Sequence, residues 1–285
     1  MKMEVILAKT AGFCFGVERA VAIAYEEAEK QNFPLYTYGP LIHNEEVISD
    51  LEKRGVHVIE NEEELKAIHE GTVIIRTHGA VPGIYDIINQ NGLELIDATC
   101  PFVKKIHKIV HKYSEEGYSI MIAGDKSHPE VIGIMGWCVN DHIYVVKDKE
   151  DLENFENKWG EKICVVSQTT FNAKKFQELV AVCEKNEYTD IVVNTICNAT
   201  DERQKEAREI ASRADAMVVI GGKNSSNTRK LYEICKDECD RTYFIQTLDD
   251  FAFNNPEEIH TIGITAGAST PKKIIEEVQN YVRNE

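Results

Sequence analysis

The chain alternates short apolar runs with longer amphipathic segments along almost its whole length. Apolar runs of four to eight residues predict buried β-strands, and apolar positions recurring every three or four residues predict helices with one buried face. Strands that alternate with helices are typical of parallel sheets. The pattern therefore predicts an α/β fold whose functional residues lie in loops at the carboxyl ends of the strands.

One unit of this pattern occurs three times, and each copy is centred on a cysteine. A strand-like run leads to Cys14, Cys100 or Cys197, and an amphipathic helix follows each of them. At a strand end that opens a helix, the helix dipole and the free N–H groups favour the thiolate form of a cysteine. The repeat therefore singles out three of the eight cysteines as candidate ligands.

Two polar loops recur in each repeat, and each loop follows a strand. The first loop places a polar residue 28 or 29 residues after its cysteine, at His43, His128 and Ser225. The second loop, after the next strand, contains His78, Thr169 and Ser269. We therefore predict three similar small α/β domains with mostly parallel sheets, arranged with pseudo-threefold symmetry around a central cluster.

The predicted domains are consecutive in the chain. They span residues 1–98 with Cys14, 99–195 with Cys100, and 196–285 with Cys197 and a final helix over 271–285 that packs on the third domain. If they surround a common axis, the three cysteines and the six polar loops meet at one cavity.

Charge and hydropathy restrict the partners. The net charge is −16, from 32 Lys and Arg against 48 Asp and Glu, which disfavours a nucleic-acid partner because phosphate backbones need a basic face. No apolar run approaches about 18 residues, so we expect no membrane span. The first residues, MKMEVILAKTAG, resemble a first strand rather than a targeting signal. The expected location is the cytoplasm.

The cysteines leave two kinds of site open. A cytoplasmic chain keeps its thiols reduced, and the absence of a CxxC motif argues against a zinc ribbon. Three convergent thiolates can bind zinc with an open position, or an iron–sulfur cluster with one iron that lacks a protein ligand. The other five cysteines have no counterparts in the repeat and are expected to be small buried hydrophobes, although Cys235 and Cys239 could pair on a metal.

The polar loops suit an anion. Candidate hydrogen-bond donors are the imidazoles and the neutral side chains beside helix starts, namely His43, His78, His128, Ser225, Asn227 and Ser269. Each of them alone is more typical of a turn or a helix cap.

The same pattern also leads to predictions for Glu130 and for four other histidines. Glu130 has no acidic counterpart in the other repeats, so it is either a proton donor in a partly dry cavity or a first-turn glutamate that stabilises its helix. We expect the HxxxH pair His107 and His111 to lie on a solvated helix face, as His57 and His69 do in charged surroundings.

Nine motifs from about residue 5 to residue 273 carry a family resemblance. In chain order they are FCFGVERAV, GPLIHN, RTHG, DATCPFV, HPEVIGIMG, SQTT, the run from ICNAT to RQ, GGKNSSNT and TAGASTP. Together they resemble the 4-hydroxy-3-methylbut-2-enyl diphosphate reductases, which are iron–sulfur oxidoreductases of the methylerythritol phosphate route to isoprenoids.

The resemblance implies a reaction and a cofactor. One [4Fe–4S] cluster per chain would be held by Cys14, Cys100 and Cys197, with its fourth iron open. The reaction would be the reductive dehydroxylation of (E)-4-hydroxy-3-methylbut-2-enyl diphosphate to isopentenyl and dimethylallyl diphosphate, with two electrons from a ferredoxin or flavodoxin.

The resemblance also implies a role for each site residue. The diphosphate would be bound by His43, His78, His128, Ser225, Ser226, Asn227 and Ser269. Glu130 would deliver the proton with the help of Thr169, whose hydroxyl would also face the substrate, and His128 would belong to the catalytic group.

Two alternatives stay open at this point. Another enzyme with a three-cysteine cluster and an open iron, such as one that resembles quinolinate synthase, would be a lyase that acts on carboxylates. A non-catalytic phosphometabolite-binding protein, or one organised by zinc, would use the same loops without turnover. The HPE, SxN and THG loops favour diphosphate reduction over the lyase.

Overall fold

The computed structural model describes residues 3–32, 34–153, 155–158, 162–187, 189–253 and 258–284. Within these ranges the chain forms three four-stranded sheets, and every strand pair is parallel. Sheet I contains β2 (Leu35–Tyr38), β3 (Val56–Ile59), β4 (Thr72–Ile75) and β5 (Glu94–Asp97). Sheet II contains β6 (Ser119–Ala123), β7 (Ile143–Val146), β8 (Ile163–Ser167) and β9 (Ile191–Val192). Sheet III contains β1 (Glu4–Leu7), β10 (Ala216–Ile220), β11 (Thr242–Ile245) and β12 (Thr261–Ala266).

The helices alternate with the strands, as the hydrophobic pattern predicts. In chain order they are α1 (Phe15–Glu29), α2 (Glu45–Lys53), α3 (Glu62–Lys66), α4 (Pro82–Gln90), α5 (Pro101–Glu115), α6 (Pro129–Gly136), α7 (Lys149–Glu153), α8 (Ala173–Lys185), α9 (Asn198–Ala211), α10 (Ser226–Glu238) and α11 (Lys272–Asn284). A short 3₁₀ turn, Leu248–Asp250, precedes β12.

The three sheets share one strand order. The order is β3-β2-β4-β5 in sheet I, β7-β6-β8-β9 in sheet II and β11-β10-β12-β1 in sheet III. In sheets I and II the chain enters at an inner strand, β2 or β6, and ends at an edge strand, β5 or β9, whereas in sheet III the corresponding edge position is occupied by β1. The predicted α/β class with repeated parallel sheets is confirmed.

The first strand of the chain completes the last sheet. β1 pairs in parallel with β12, in a register that places Glu4 beside Thr261 and Leu7 beside Ile264. Cys14, Cys100 and Cys197 consequently each follow the fourth strand of a sheet. In the sequence, each repeat starts with the strand that leads to its cysteine. In the structure, this strand is the edge strand of a sheet whose other three strands come from another repeat. The domain limits 1–98, 99–195 and 196–285 stay a prediction.

Both faces of the sheets are covered by apolar side chains. In sheet II, Ile120 and Ile122 belong to a core with α5 and α6, whereas Met121 and Ala123 belong to a second core with α8. Successive strand residues point to opposite faces, so a strand that is covered on both sides must be apolar throughout. This explains the continuous apolar runs of β6, β8 and β10.

The chain divides into two compact units. One contains the N-terminal segment as far as Glu18, the segment Ile42–Ser49 and the C-terminal part from Asn198, and hence sheet III. The other contains Arg19–Leu41 and Asp50–Cys197, and hence sheets I and II.

In the first unit the final helix, α11, packs on sheet III through Ile274 and Val278. Glu285, the end of the predicted final helix, lies outside the described residues. No helix in the described ranges has the length and apolarity to span a bilayer.

The expected solvated position of His107 is wrong. His107 is only 4% exposed and its ring stacks on Trp137, with the ring centroids 5.3 Å apart. A Cβ added at Gly79, whose φ is +74°, would lie 2.7 Å from Cε1 of His107, so only glycine leaves room for this ring. His107 shares the buried face of α5 with Val103 and Val110, and this spacing outweighs its polarity. His57, His69 and His111 are exposed as predicted.

Burial of His107 should make the protein acid-sensitive. Burial lowers the pKa of His107 from 6.5 to about 4, so between these values the unfolded state binds a proton that the folded state does not. The free energy of unfolding should therefore fall as the pH drops from 6.5 to 4, by up to roughly 3 kcal/mol from this residue. In urea unfolding across this range, His107→Gln should show a shallower pH dependence than the parent. His111→Gln, on the exposed face of the same helix, should not differ from the parent, and equal slopes in all three proteins would contradict the assignment.

Candidate cluster and anion site

Each cysteine of the repeat is held in the same way by a polar loop. Its backbone N–H donates to a carbonyl in the second polar loop of the same sheet. The pairs are Cys14 with Ala268 at 3.3 Å, Cys100 with Thr77 at 3.0 Å and Cys197 with Thr169 at 3.0 Å. Each cysteine also directly precedes a helix, so the thiols lie where the helix dipole favours a negative charge.

The other five cysteines have a different environment. Burial raises the pKa of the Cys138, Cys164 and Cys235 thiols to about 12 and that of Cys183 to about 11, and it also raises the pKa of Cys239. Burial therefore disfavours the thiolate form of these cysteines, the form in which a cysteine binds a metal. The pairing of Cys235 and Cys239 on a metal stays a prediction. Only the cysteines of the repeat are partly exposed at helix starts, so each of the three has the environment that a cluster ligand needs.

Glu130 and Thr169 form a buried pair in the second unit. Glu130 is 1% exposed, on the first turn of α6, and Thr169 follows β8. The Thr169 N–H donates to Oε1 of Glu130 at 2.6 Å, and the Thr169 hydroxyl donates to Oε2 at 2.7 Å. The carbonyl of the same threonine accepts the N–H of Cys197. Thr169 thus connects a buried carboxyl group to a cysteine of the repeat.

Two imidazoles lie in contact near this pair, and one of them, His128, is two residues before Glu130. The rings of His78 and His128 meet edge to face, with their centroids 5.3 Å apart. His128 is the N-cap of α6, and its Nδ1 accepts the N–H of Glu130 at 3.1 Å. With Nδ1 an acceptor, the neutral ring carries its proton on Nε2, which is then a donor.

Three loops meet in the first unit. A Cβ added at Gly222 would lie 2.6 Å from the carbonyl oxygen of His43, so the His43 loop packs directly on the glycine pair after β10. The hydroxyl of Ser269 donates to the same carbonyl at 3.1 Å. The loops that contain His43, Ser225 and Ser269 are therefore neighbours, although His43 follows β2 of sheet I and the two serines follow β10 and β12 of sheet III.

The start of α10 contains an unsatisfied amide. Ser225 is the N-cap, and its hydroxyl accepts the N–H of Thr228 at 3.3 Å, while Ser226 is the first helical residue. The side chain of Asn227 is buried, and neither its nitrogen nor its oxygen has a hydrogen-bond partner within the described part of the chain. A buried amide without partners costs free energy that a bound ligand can recover. The start of α10 therefore has a buried donor and a buried acceptor that a ligand could satisfy.

Charged side chains that sequence reasoning missed hold the loops around the cysteines. In the first unit, Glu206 on α9 accepts the N–H groups of Lys9 and Thr10 at 2.8 and 2.9 Å, just before Cys14. In the second unit, Arg19 donates to the carbonyl of Thr99, just before Cys100, at 3.4 Å. No local pattern distinguishes these residues from solvated charges on a helix.

The structure thus brings the predicted residues together in two groups. The second unit contains Cys100, Cys197, His78, His128, Glu130 and Thr169, and the first unit contains Cys14, His43, Ser225, Ser226, Asn227 and Ser269. Their assignment as ligands, diphosphate contacts and proton donors stays a prediction.

Comparison with known proteins gives a single family. Residues 5–283 match the model described as LytB protein. The chain is 48% identical over 283 residues to a protein of Caldanaerobacter subterraneus subsp. tengcongensis, covering 99% of this chain and 97% of that protein. It is 45% identical over 284 residues to one of Clostridioides difficile, with 99% and 100% covered. Both are named 4-hydroxy-3-methylbut-2-enyl diphosphate reductase.

Solved structures with the same architecture also cover the chain. A reductase from Plasmodium falciparum, described as acting on E-1-hydroxy-2-methyl-but-2-enyl-4-diphosphate, aligns with a TM-score of 0.92 at 28% identity, covering 99% of this chain and 88% of that one. A second structure, described as (E)-4-hydroxy-3-methyl-but-2-enyl diphosphate reductase and as the terminal enzyme of the non-mevalonate pathway, aligns with a TM-score of 0.71 at 40% identity. It covers 99% of this chain and all of that one.

Proposed function

The chain belongs to the LytB protein family, and from this we propose that it reduces (E)-4-hydroxy-3-methylbut-2-enyl diphosphate to isopentenyl and dimethylallyl diphosphate. The observation that carries the proposal is Thr169, which binds the buried Glu130 through its N–H and hydroxyl and binds Cys197 through its carbonyl. A proton source and a candidate cluster ligand are thereby held by one residue. The proposed location is the cytoplasm, where the thiols stay reduced.

The overall reaction needs two electrons and two protons. The C–O bond of the allylic alcohol breaks, its hydroxyl leaves as water with one proton, and a C–H bond forms with the other. Cys14, Cys100 and Cys197 would hold a [4Fe–4S] cluster that has one iron without a protein ligand. This cluster would supply the electrons one at a time and would receive them from a ferredoxin or flavodoxin. The rest of the chemistry depends on the side chains.

The Glu130–Thr169 pair restricts the proton to one path. The Thr169 N–H always donates to Oε1, so a proton on Glu130 must reside on Oε2. Oε2 lies 2.7 Å from the Thr169 hydroxyl, which can accept that proton while passing its own onward. Glu130 would therefore be the proton source and Thr169 the group that presents the proton to the substrate hydroxyl.

The remaining polar groups would bind the diphosphate. In the first unit these are the His43 imidazole, the Ser225, Ser226 and Ser269 hydroxyls and the Asn227 amide. In the second unit they are His78 and His128. Binding energy from this remote end of the substrate would position its allylic end. A diphosphate oxygen would compete with the His43 carbonyl for the Ser269 hydroxyl, which must turn to donate to it.

Asn227→Ala should weaken substrate binding without destabilising the protein. The substitution removes a buried amide that has no partner in the described ranges, so we expect the free energy of unfolding to stay constant or rise. The lost hydrogen bond to a charged phosphate should raise the substrate Kd about 10- to 100-fold. Calorimetric titration of the apo-protein with inorganic diphosphate and urea unfolding measure the two effects separately.

Asn91→Ala provides the opposite pattern as a control. The Asn91 amide donates to the carbonyls of Leu65, Lys66 and Ile68, so its loss should lower stability and leave diphosphate binding unchanged. Loss of stability in Asn227→Ala, with unchanged binding, would assign Asn227 to the fold instead.

The proposed function is tested by anaerobic purification and assay. We expect about four iron atoms and four sulfides per chain after reconstitution. Viologen reduced by dithionite should then support conversion of the allylic diphosphate to both products, and mass spectrometry detects these products. A fully clustered protein that does not turn over this substrate, or a colourless protein that retains zinc, would reject the proposal.

A further inference from the structure

Helix α5 is strongly basic although the chain is strongly acidic. The chain has a net charge of −16, yet α5 contains four lysines, Lys104, Lys105, Lys108 and Lys112, against the single Glu115. Its N-cap is Cys100, one of the three candidate cluster ligands. A concentration of positive charge therefore begins next to the proposed redox centre.

The corresponding helices of the other repeats show that the fold does not require this charge. α1, which follows Cys14, contains four glutamates and one arginine. α9, which follows Cys197, contains four acidic and three basic residues. All three helices occupy the same place in the repeat, so this place does not by itself require a basic helix.

The lysines face solvent on one side of α5. Val103, Ile106 and Val110 form its buried face, and Lys105, Lys108 and Lys112 are exposed on the opposite face. Phe102, in the first turn at the side of this lysine face, is 42% exposed. Lys104 pairs with Asp97 at 2.6 Å, and Lys112 lies 3.8 Å from Glu116. Lys105 and Lys108 form no ion pair within the described ranges. At 1.5 Å per residue, they lie about 8 and 12 Å along the helix from Cys100.

These features match an acidic electron carrier. Proteins of the ferredoxin and flavodoxin type are small and acidic, so most of a surface with net charge −16 repels them. A basic face next to a ligand of the cluster overcomes that repulsion locally and holds the carrier at a short electron-transfer distance. The exposed Phe102 supplies an apolar contact within the basic rim.

Building on the proposed function, we propose that the exposed face of α5, formed by Phe102, Lys105, Lys108 and Lys112, is the docking surface for an acidic one-electron carrier protein. Each docking event delivers one electron from the reduced carrier to the cluster, and two events complete one turnover. The carrier leaves oxidised by one electron each time, and the protons come from the groups already described.

The test compares two electron sources on the clustered holoenzyme. With a small acidic ferredoxin at low ionic strength, Lys105→Glu/Lys108→Glu should lower kcat/KM for the carrier at least about tenfold, with a loss of salt dependence. With reduced viologen, a small molecule that needs no docking face, the turnover of this variant should equal that of the parent. Stopped-flow reduction of the oxidised cluster by the ferredoxin, without substrate, should slow by the same factor.

Matched variants separate docking from general electrostatics. Lys205→Glu, at the position of α9 equivalent to Lys108, should leave carrier-driven turnover unchanged, and Lys112→Glu, about 18 Å from Cys100, should have a smaller effect than the double variant. Equal losses in Lys205→Glu, or equal losses with viologen, would overturn the proposal. A change in the molar mass of the double variant by light scattering would assign the face to a second copy of the chain instead. If the parent turned over with neither electron source, the proposed function would fail rather than the docking surface.

Discussion

Glu130→Gln is expected to retain the cluster and to lower turnover by about 10²- to 10⁴-fold, the usual contribution of a positioned general acid. The glutamine keeps the shape of the side chain, and its Oε1 can still accept the Thr169 N–H that Glu130 accepts at 2.6 Å. Its amide nitrogen would replace Oε2 and donate to the Thr169 hydroxyl, which reverses the present hydrogen bond. The variant therefore keeps the loop in place and loses only the transferable proton.

The measurement combines turnover with two observations that a purely structural role would change. Iron content and substrate Kd should equal those of the parent, while viologen-driven turnover collapses. Asp215→Asn is the control, because this carboxylate likewise holds a loop through two hydrogen bonds, from the N–H groups of His260 and Thr261, but belongs to none of the cysteine loops. Near-normal turnover in Glu130→Gln would leave Glu130 as a residue that only supports the Thr169 loop.

The second half of the pair offers an independent check on the path of the proton. Thr169→Val removes the hydroxyl while its N–H and carbonyl stay in place, so the contact with Cys197 should persist. If the proton passes through this hydroxyl, Thr169→Ser should recover most of the activity that Thr169→Val loses.

The repeated parallel sheets were predictable because their signal is local. Each strand that is covered on both faces is an apolar run, and each helix shows its buried stripe, so both are visible in ten or fifteen residues. The cysteines and polar loops recur in phase with these elements. Their positions at strand ends follow from the same local pattern.

The closure of sheet III by β1 was not predictable in this way. β1 pairs with β12, from the other end of the chain, and parallel pairing between distant strands leaves no turn between them to mark it. The same holds for Glu206, whose partners Lys9 and Thr10 are brought to it only by the tertiary fold.

The burial of His107 differs from these cases, because the sequence did contain a sign of it. Its spacing from Val103 and Val110 places it on the buried face of α5, but a polar side chain in an HxxxH pair suggested solvent. Stacking on Trp137 and the space at Gly79 make burial of a neutral imidazole possible, and both depend on residues far away in sequence.

Cys100→Ser is expected to lose most of its iron, whereas Cys183→Ser is expected to retain it. A metal site loses 10- to 100-fold in affinity when only a residue behind a ligand is changed, so replacement of a ligand itself should cost at least that much. Cys183 is 1% exposed, and burial raises the pKa of its thiol to about 11, which disfavours the thiolate that a metal needs. The same loss as in Cys100→Ser is expected for Cys14→Ser and Cys197→Ser.

The comparison is sharp because serine is nearly isosteric with cysteine. At Cys183 the change introduces a hydroxyl into an apolar core, so the free energy of unfolding should fall by roughly 1 to 3 kcal/mol while iron content stays constant. At Cys100, beside a helix start and partly exposed, the apo-protein should keep its stability while reconstituted iron and absorbance are lost. Cys183→Ser should thus change stability alone, and Cys100→Ser should change iron content alone. Loss of iron from Cys183→Ser, or full iron in Cys100→Ser, would contradict the assignment of ligands by repeat phase.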